Sequence, residues 1–140
     1  FTPVLAITFY GTIIFGRNCL MYMIIAYALS DLFIGFHNQL FWTWGSLFLI
    51  GYISTFFKGL SGRSVGVVVS SSMFFILTNL GVYLSGYYGY TFDSLILCYT
   101  LAIPFYTNTI ISTIMFSVFI EFFVFSKFFN FITISKNKIN

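Results

Sequence analysis

The sequence predicts an all-α fold, a polytopic bundle of transmembrane helices, and three observations carry that prediction. Hydrophobic residues make up 59% of the 140 and charged residues 6%, where soluble domains carry about 25% charged. Gly, Pro and charged residues cut the chain into apolar segments, several near the length that crosses a bilayer. A topology also exists that puts every Lys and Arg on one side of that bilayer. A soluble helix needs a polar face, and this chain has too little polar material to coat one. The surrounding solvent is therefore expected to be lipid.

The length suits one domain, read as a single transmembrane domain over 1–140. The first stretch has neither a basic n-region nor a small-residue cleavage site, so it does not read as a signal peptide, and a further segment is expected upstream. The first span covers 3–15 and ends at Gly16-Arg17-Asn18. The second covers 19–35, closing at Gly35-Phe36-His37-Asn38. A third runs over 39–57 and stops at the polar run Lys58 to Ser64, which reads as an inner turn. The fourth spans 65–85, followed by a polar, Tyr-rich loop over 86–93. Residues 94–103 are apolar but too few to cross, and Pro104 follows them. A final span covers 108–127.

The segment 94–103 decides the topology. If it crosses, the three C-terminal lysines fall opposite Arg17, Lys58 and Arg63. If it dips in and returns, Arg17, Lys58, Arg63, Lys127, Lys136 and Lys138 share one side, leaving Asp93 and His37 on the other. The positive-inside rule prefers the second arrangement. The expectation is about five crossing helices plus one short re-entrant helix (94–103), in a cell's inner (cytoplasmic) membrane rather than an organellar one, with the C-terminus cytoplasmic. A re-entrant backbone needs protein or a water-filled cavity to satisfy it, so a cavity is expected in the outer half.

Depth along the helices puts several polar groups in one outer layer. Asp31 and Asn79 each lie about 9 Å inside a helix end. Ser112 and Thr113 are counted inward from Asn108, and Thr43 and Trp44 enter from the third span. An ionisable residue within the membrane is costly unless paired, hydrated or protonated, so Asp31 should face inward. The rings of Trp42, Trp44, Tyr83, Tyr87, Tyr88, Tyr90 and Tyr99 make a cation–π or stacking site reasonable. A carboxylate that merely ties helices together, and an ordinary interfacial aromatic belt, explain the same residues without a ligand. The candidate ligand-binding residues are Asp31, His37, Asn38, Trp42, Trp44, Asn79, Tyr83, Asp93, Tyr99 and Asn108, with a small cationic or aromatic solute as the expected ligand.

Other chemistries find little support. Cys19 and Cys98 make no disulfide framework or metal site, and one histidine cannot form a bis-histidine haem site. No cofactor is expected. The sparse basic residues form no nucleic-acid footprint. No G-x-x-x-x-G-K-[ST] loop, H-E-x-x-H motif or Ser–His pairing appears, so the chain reads as non-enzymatic. Glu121, near the inner end of the last span, reads as a residue hydrated at the interface or touching a partner.

Ser30-Asp31-Leu32-Phe33-Ile34-Gly35-Phe36-His37 and Leu77-Thr78-Asn79-Leu80-Gly81-Val82-Tyr83-Leu84-Ser85-Gly86 stand out. With Leu97-Cys98-Tyr99, Ala102 to Thr109 and the opening Phe1-Thr2-Pro3, they resemble an uncharacterised family of small bacterial membrane proteins. That family is similar to the substrate-binding (S) components of energy-coupling-factor (ECF) transporters. The resemblance implies a vitamin-like solute bound from outside and a transmembrane coupling subunit with ATPases as partner. It also implies one further helix upstream of Phe1. The alternative is a structural or accessory subunit of a larger membrane complex, with no ligand of its own.

Overall fold

The computed structural model describes residues 2–35 and 39–125, and all their regular structure is helical. In chain order the helices are α1 (Val4–Phe15), α2 (Asn18–Ile34), α3 (Leu40–Ser54), α4 (Gly59–Leu84) and α5 (Phe92–Ile120). A widened π-helical turn, Glu121–Phe125, continues α5. Gly16 and Gly35 end α1 and α2 with φ of 82° and 106°, a left-handed backbone that favours glycine.

Two helices, Gly59–Leu84 and Phe92–Phe125, are long and apolar enough to cross a membrane. At 1.5 Å per residue they are about 39 and 51 Å long, against a hydrocarbon core of about 30 Å. The other three are apolar but shorter, at 12, 17 and 15 residues.

Successive helices run antiparallel, as their cross-contacts require. Tyr27 of α2 donates to the Val4 carbonyl at 3.3 Å, while Leu20, about two turns earlier, packs where Gly51 of α3 passes Thr12. Near the other end of α3, Trp44 meets Asp31. Asn79 and Ser72 of α4 meet Cys98 and Tyr106 of α5. Hence the C-terminal ends of α1, α3 and α5 gather with the N-terminal end of α4.

The shortest helix occupies the centre. α1 packs on α2, α3, α4 and α5 and buries Leu5, Ala6 and the run Thr8 to Thr12, while Ile7 stays exposed. A helix apolar all round suits enclosure over most of its surface, and its two buried threonines turn their hydroxyls onto their own helix, Thr8 to Val4 and Thr12 to Thr8. Leu5, Phe9 and Tyr10 build the core with Leu47, Ile50 and Val67.

Two expectations are corrected. Residues 94–103 are not a separate re-entrant helix, and the described part of the expected final span, 108–125, is not a separate helix: both belong to α5 and the turn that continues it, and α5 passes through Pro104 without interruption. Proline removes one i→i−4 hydrogen bond. Ending the helix there would free several carbonyls and N–H groups in apolar surroundings, a larger cost than one lost bond. Thr91 fixes the start of this helix by accepting the Ser94 N–H at 3.2 Å. Ser112 and Thr113 then lie about 30 Å from the Phe92 end of α5, well below the outer layer assigned to them.

The run Gly59 to Ser64 is likewise not a turn but the start of α4. Lys58 is extended, Gly59 has φ of 69°, and the Ser64 hydroxyl bonds the Leu60 carbonyl at 3.0 Å.

Glycine packing gives the fold a direct test. A Cβ on Gly66 would sit 2.5 Å from the Phe9 ring and 2.7 Å from that of Phe57, whereas one on Gly45 would meet nothing within 4 Å. Gly66→Leu should therefore destabilise by about 2 kcal/mol. Gly45→Ala should leave stability unchanged or slightly raised. Unfolding of the detergent-solubilised protein on titration with a denaturing detergent measures both.

Candidate functional site

At the end holding Arg17 and Lys58, three helices converge on one carboxylate. Glu121 receives two parallel bonds from Arg63, Nε to Oε1 at 2.5 Å and Nη2 to Oε2 at 2.8 Å. Tyr10 of α1 donates its phenol O–H to Oε1 at 2.9 Å. The Arg63 guanidinium also lies 4.0 Å from the centroid of the Phe125 ring, a face that attracts cations. The π-helical turn begins at Glu121 and ends at Phe125, so both ends of that turn meet the same guanidinium. The two charged side chains are only 14% and 16% exposed. A pair this sheltered is weakly hydrated, and its forked geometry satisfies both carboxylate oxygens.

Beside this triad a groove of about 890 Å³ opens between α4 and α5. Leu60, Val67, Val68, Ile114, Val118 and Phe122 make its walls apolar, with Arg63, Glu121 and Tyr10 as the polar side. Its volume falls within the range typical of ligand pockets. None of the ten residues proposed from the sequence lines it.

Six of the ten, Asp31, Trp42, Trp44, Asn79, Tyr83 and Tyr99, are distributed over three seams of the opposite half. Between α2 and α3, the half-buried Asp31 accepts the Trp44 indole N–H on Oδ2 at 2.7 Å. Between α3 and α4, the Trp42 ring packs where Gly81 leaves room, beside the Gln39 amide oxygen, which is buried and accepts no bond among the described residues. Between α4 and α5, the Asn79 carbonyl faces the Cys98 thiol at 3.6 Å, and the Asn79 amide donates to Phe75 at 2.8 Å. Tyr99 donates to the Ile76 carbonyl at 2.8 Å, and Tyr83 to that of Tyr90 at 3.0 Å. Asp93 is exposed in the first turn of α5, where a carboxylate complements the helix dipole. Asn108 is exposed at mid-helix. His37 and Asn38 lie outside the described residues.

The structure thus joins Asp31 to Trp44 and lines up the α4–α5 pairs, without drawing all ten into one cluster. Sequence reasoning missed the Arg63–Glu121–Tyr10 triad. A signal for it did exist: Arg63 and Glu121 are lone opposite charges near the same end of the two longest helices.

The family's sequence pattern matches residues 1–132. The chain belongs to DUF6580, a family of unknown function. No curated protein and no solved structure matches this DUF6580 chain. Among its described residues, no group of three His, Cys, Asp or Glu side chains could hold a metal ion.

The triad predicts an asymmetric response to mutation. Glu121→Gln should cost about 3 kcal/mol, because it strands a sheltered guanidinium. Arg63→Met combined with Glu121→Leu removes both charges and should cost less than Glu121→Gln alone. Equilibrium unfolding of the three proteins in one detergent gives the comparison.

Proposed function

We propose that this protein is a membrane-embedded, non-catalytic solute-binding component of an uptake system, resembling the S components of ECF transporters. The observation that carries the reading is the Asp31–Trp44 bond. A carboxylate is held half-buried by an indole N–H at 2.7 Å, at an end of the bundle whose described residues include Asp93 and no Lys or Arg. An acceptor-rich end without fixed cations favours a ligand that brings donors or positive charge. The face of Trp44, beside that carboxylate, suits a flat or cationic solute.

The polarity of the two ends supports the same reading. Taking all five helices as crossing segments, Arg17, Lys58 and Arg63 share the cytoplasmic side by the positive-inside rule. Merging 94–103 with the final span leaves the number of crossings at five, so the C-terminus stays cytoplasmic and the Asp31 end faces outward in the inner membrane. Energy for uptake would come from a partner, a transmembrane coupling subunit with its ATPases.

The second reading, an accessory subunit of a larger membrane complex, is favoured by the groove between α4 and α5. It is apolar, open at the side of the bundle and about 890 Å³ in volume, and a partner's helix could fill it.

Trp44 belongs to the proposed ligand site, and Trp42, the other tryptophan of the chain, lies one seam away on the same helix, so intrinsic fluorescence reports on the site. Titrating protein in lipid nanodiscs with a panel of cationic aromatic solutes should give saturable quenching by at least one. Asp31→Asn should weaken that binding at least about tenfold, the loss of one charge-assisted contact. If no solute quenches at millimolar concentration, the uptake reading is wrong and the accessory-subunit reading stands.

A further inference from the structure

Asn108 sits at the middle of α5 by two measures. It is 16 residues from Phe92 and 17 from Phe125, the two ends of the apolar span Phe92–Phe125. Tyr106, two residues away, bonds to Ser72 at 2.9 Å, and Ser72 lies at the midpoint of Gly59–Leu84. Asn108 is also exposed. With both long helices crossing the membrane, its amide would face hydrocarbon near the bilayer centre.

The neighbouring polar side chains of α5 avoid that cost by bonding to their own helix. Thr100 donates to Ile96 at 2.7 Å, Thr107 to Ile103 at 3.1 Å and Thr109 to Phe105 at 2.8 Å. Asn79 of α4 does the same to Phe75. The Asn108 side chain makes no hydrogen bond among the described residues. A bare amide in lipid is unfavourable, and polar side chains in membrane helices are normally bonded across a helix interface.

The residues around it form a seam. Leu101, Pro104, Asn108, Ile111 and Met115 follow 3–4–3–4 spacing, the pattern of paired helices. All five are exposed, with Leu101, Ile111 and Met115 at 49%, 48% and 50%. Of the five buried residues of α5, Ala102, Thr113 and Ser117 lie on the far side of the helix from this seam while Cys98 and Ser112 flank it, and none of the seam residues lines the α4–α5 groove. Pro104 also leaves the Thr100 carbonyl without its i+4 N–H donor, a second group that a neighbour can satisfy.

We infer that this face of α5 pairs with α5 of a second copy of the chain, in a parallel, two-fold dimer with Asn108 bonded to Asn108. A carboxamide is both donor and acceptor, so it complements an identical group across a two-fold axis, and two copies inserted in the same orientation present their seams in parallel register. A single Asn among apolar seam positions fixes register and the number of strands. The inference is independent of what the protein binds.

Photobleaching steps of full-length, singly labelled protein in dilute vesicles test it. The wild type should bleach mainly in two steps. Asn108→Leu should weaken dimerisation by about tenfold, the size of an interhelical hydrogen bond in a membrane, while Asn108→Gln keeps most of it. The melting temperature of Asn108→Leu should not fall, which separates lost pairing from lost fold. In a chain carrying Cys19→Ser and Cys98→Ala, Met115→Cys should form a disulfide-linked dimer on oxidation, and Phe33→Cys on α2 should not. Single-step bleaching of the wild type, dimerisation unaffected by Asn108→Leu, or no Met115→Cys cross-link would overturn the proposal.

Discussion

The Arg63–Glu121–Tyr10 contact constrains this fold more than any other. It joins α1, α4 and α5 at one level, with a charge on each of the two long helices. In apolar surroundings neither charge is tolerable alone, so the pairing sets which turn of α4 faces which turn of α5. From there the α4–α5 seam runs in one register through Ser72–Tyr106, Ile76–Tyr99 and Asn79–Cys98. Tyr10 ties the same point to α1, and α1 carries the packing to α2 through Thr8 and Gly11 and to the α3–α4 connection through Phe9.

Central placement of α1 follows from the same constraint. Glu121 needs a third donor for its carboxylate, and a phenol reaching from an enclosed helix supplies it without bringing water. Phe9, adjacent to Tyr10, packs edge-on to it at 5.3 Å and also against Phe57. Gly66 then has to remain bare where α4 passes those rings. A helix of 12 residues is too short to cross a bilayer unaided, and its four neighbouring helices shield most of its surface.

Much of the helical content was legible because it rests on local signals. Gly16-Arg17 and Gly35 ended helices where the sequence said they would, since a left-handed glycine is a property of one residue. Counting residues from helix ends put Asp31 level with Trp44, and they touch. The errors arose where distant partners override a local signal. Pro104 reads locally as a stop, yet the cost of opening a helix in apolar surroundings exceeds that of one missing bond. Lys58 to Ser64 reads as a turn because it is polar, but Arg63 becomes an acceptable helical residue once Glu121, 58 positions later, is beside it. No local rule could rank that pair, because its value depends on α4 and α5 being adjacent and antiparallel. The spread of six of the candidate residues over three seams has the same origin: equal depth does not imply a common direction around the bundle.

The polar groups differ in how fully this chain satisfies them, and that gradation has a physical meaning. Both carboxylate oxygens of Glu121 are bonded from within the bundle, so that site is complete and serves the fold. Asp31 has one indole donor on Oδ2 and keeps acceptor capacity among the described residues. The Asn108 side chain has no bond there. In water such differences would matter little, because solvent would complete each group. Were the two long helices to cross a membrane, the missing partner would have to be another molecule or another copy. On the functions proposed above, the order from Glu121 to Asp31 to Asn108 would run from what holds the chain together to what it meets.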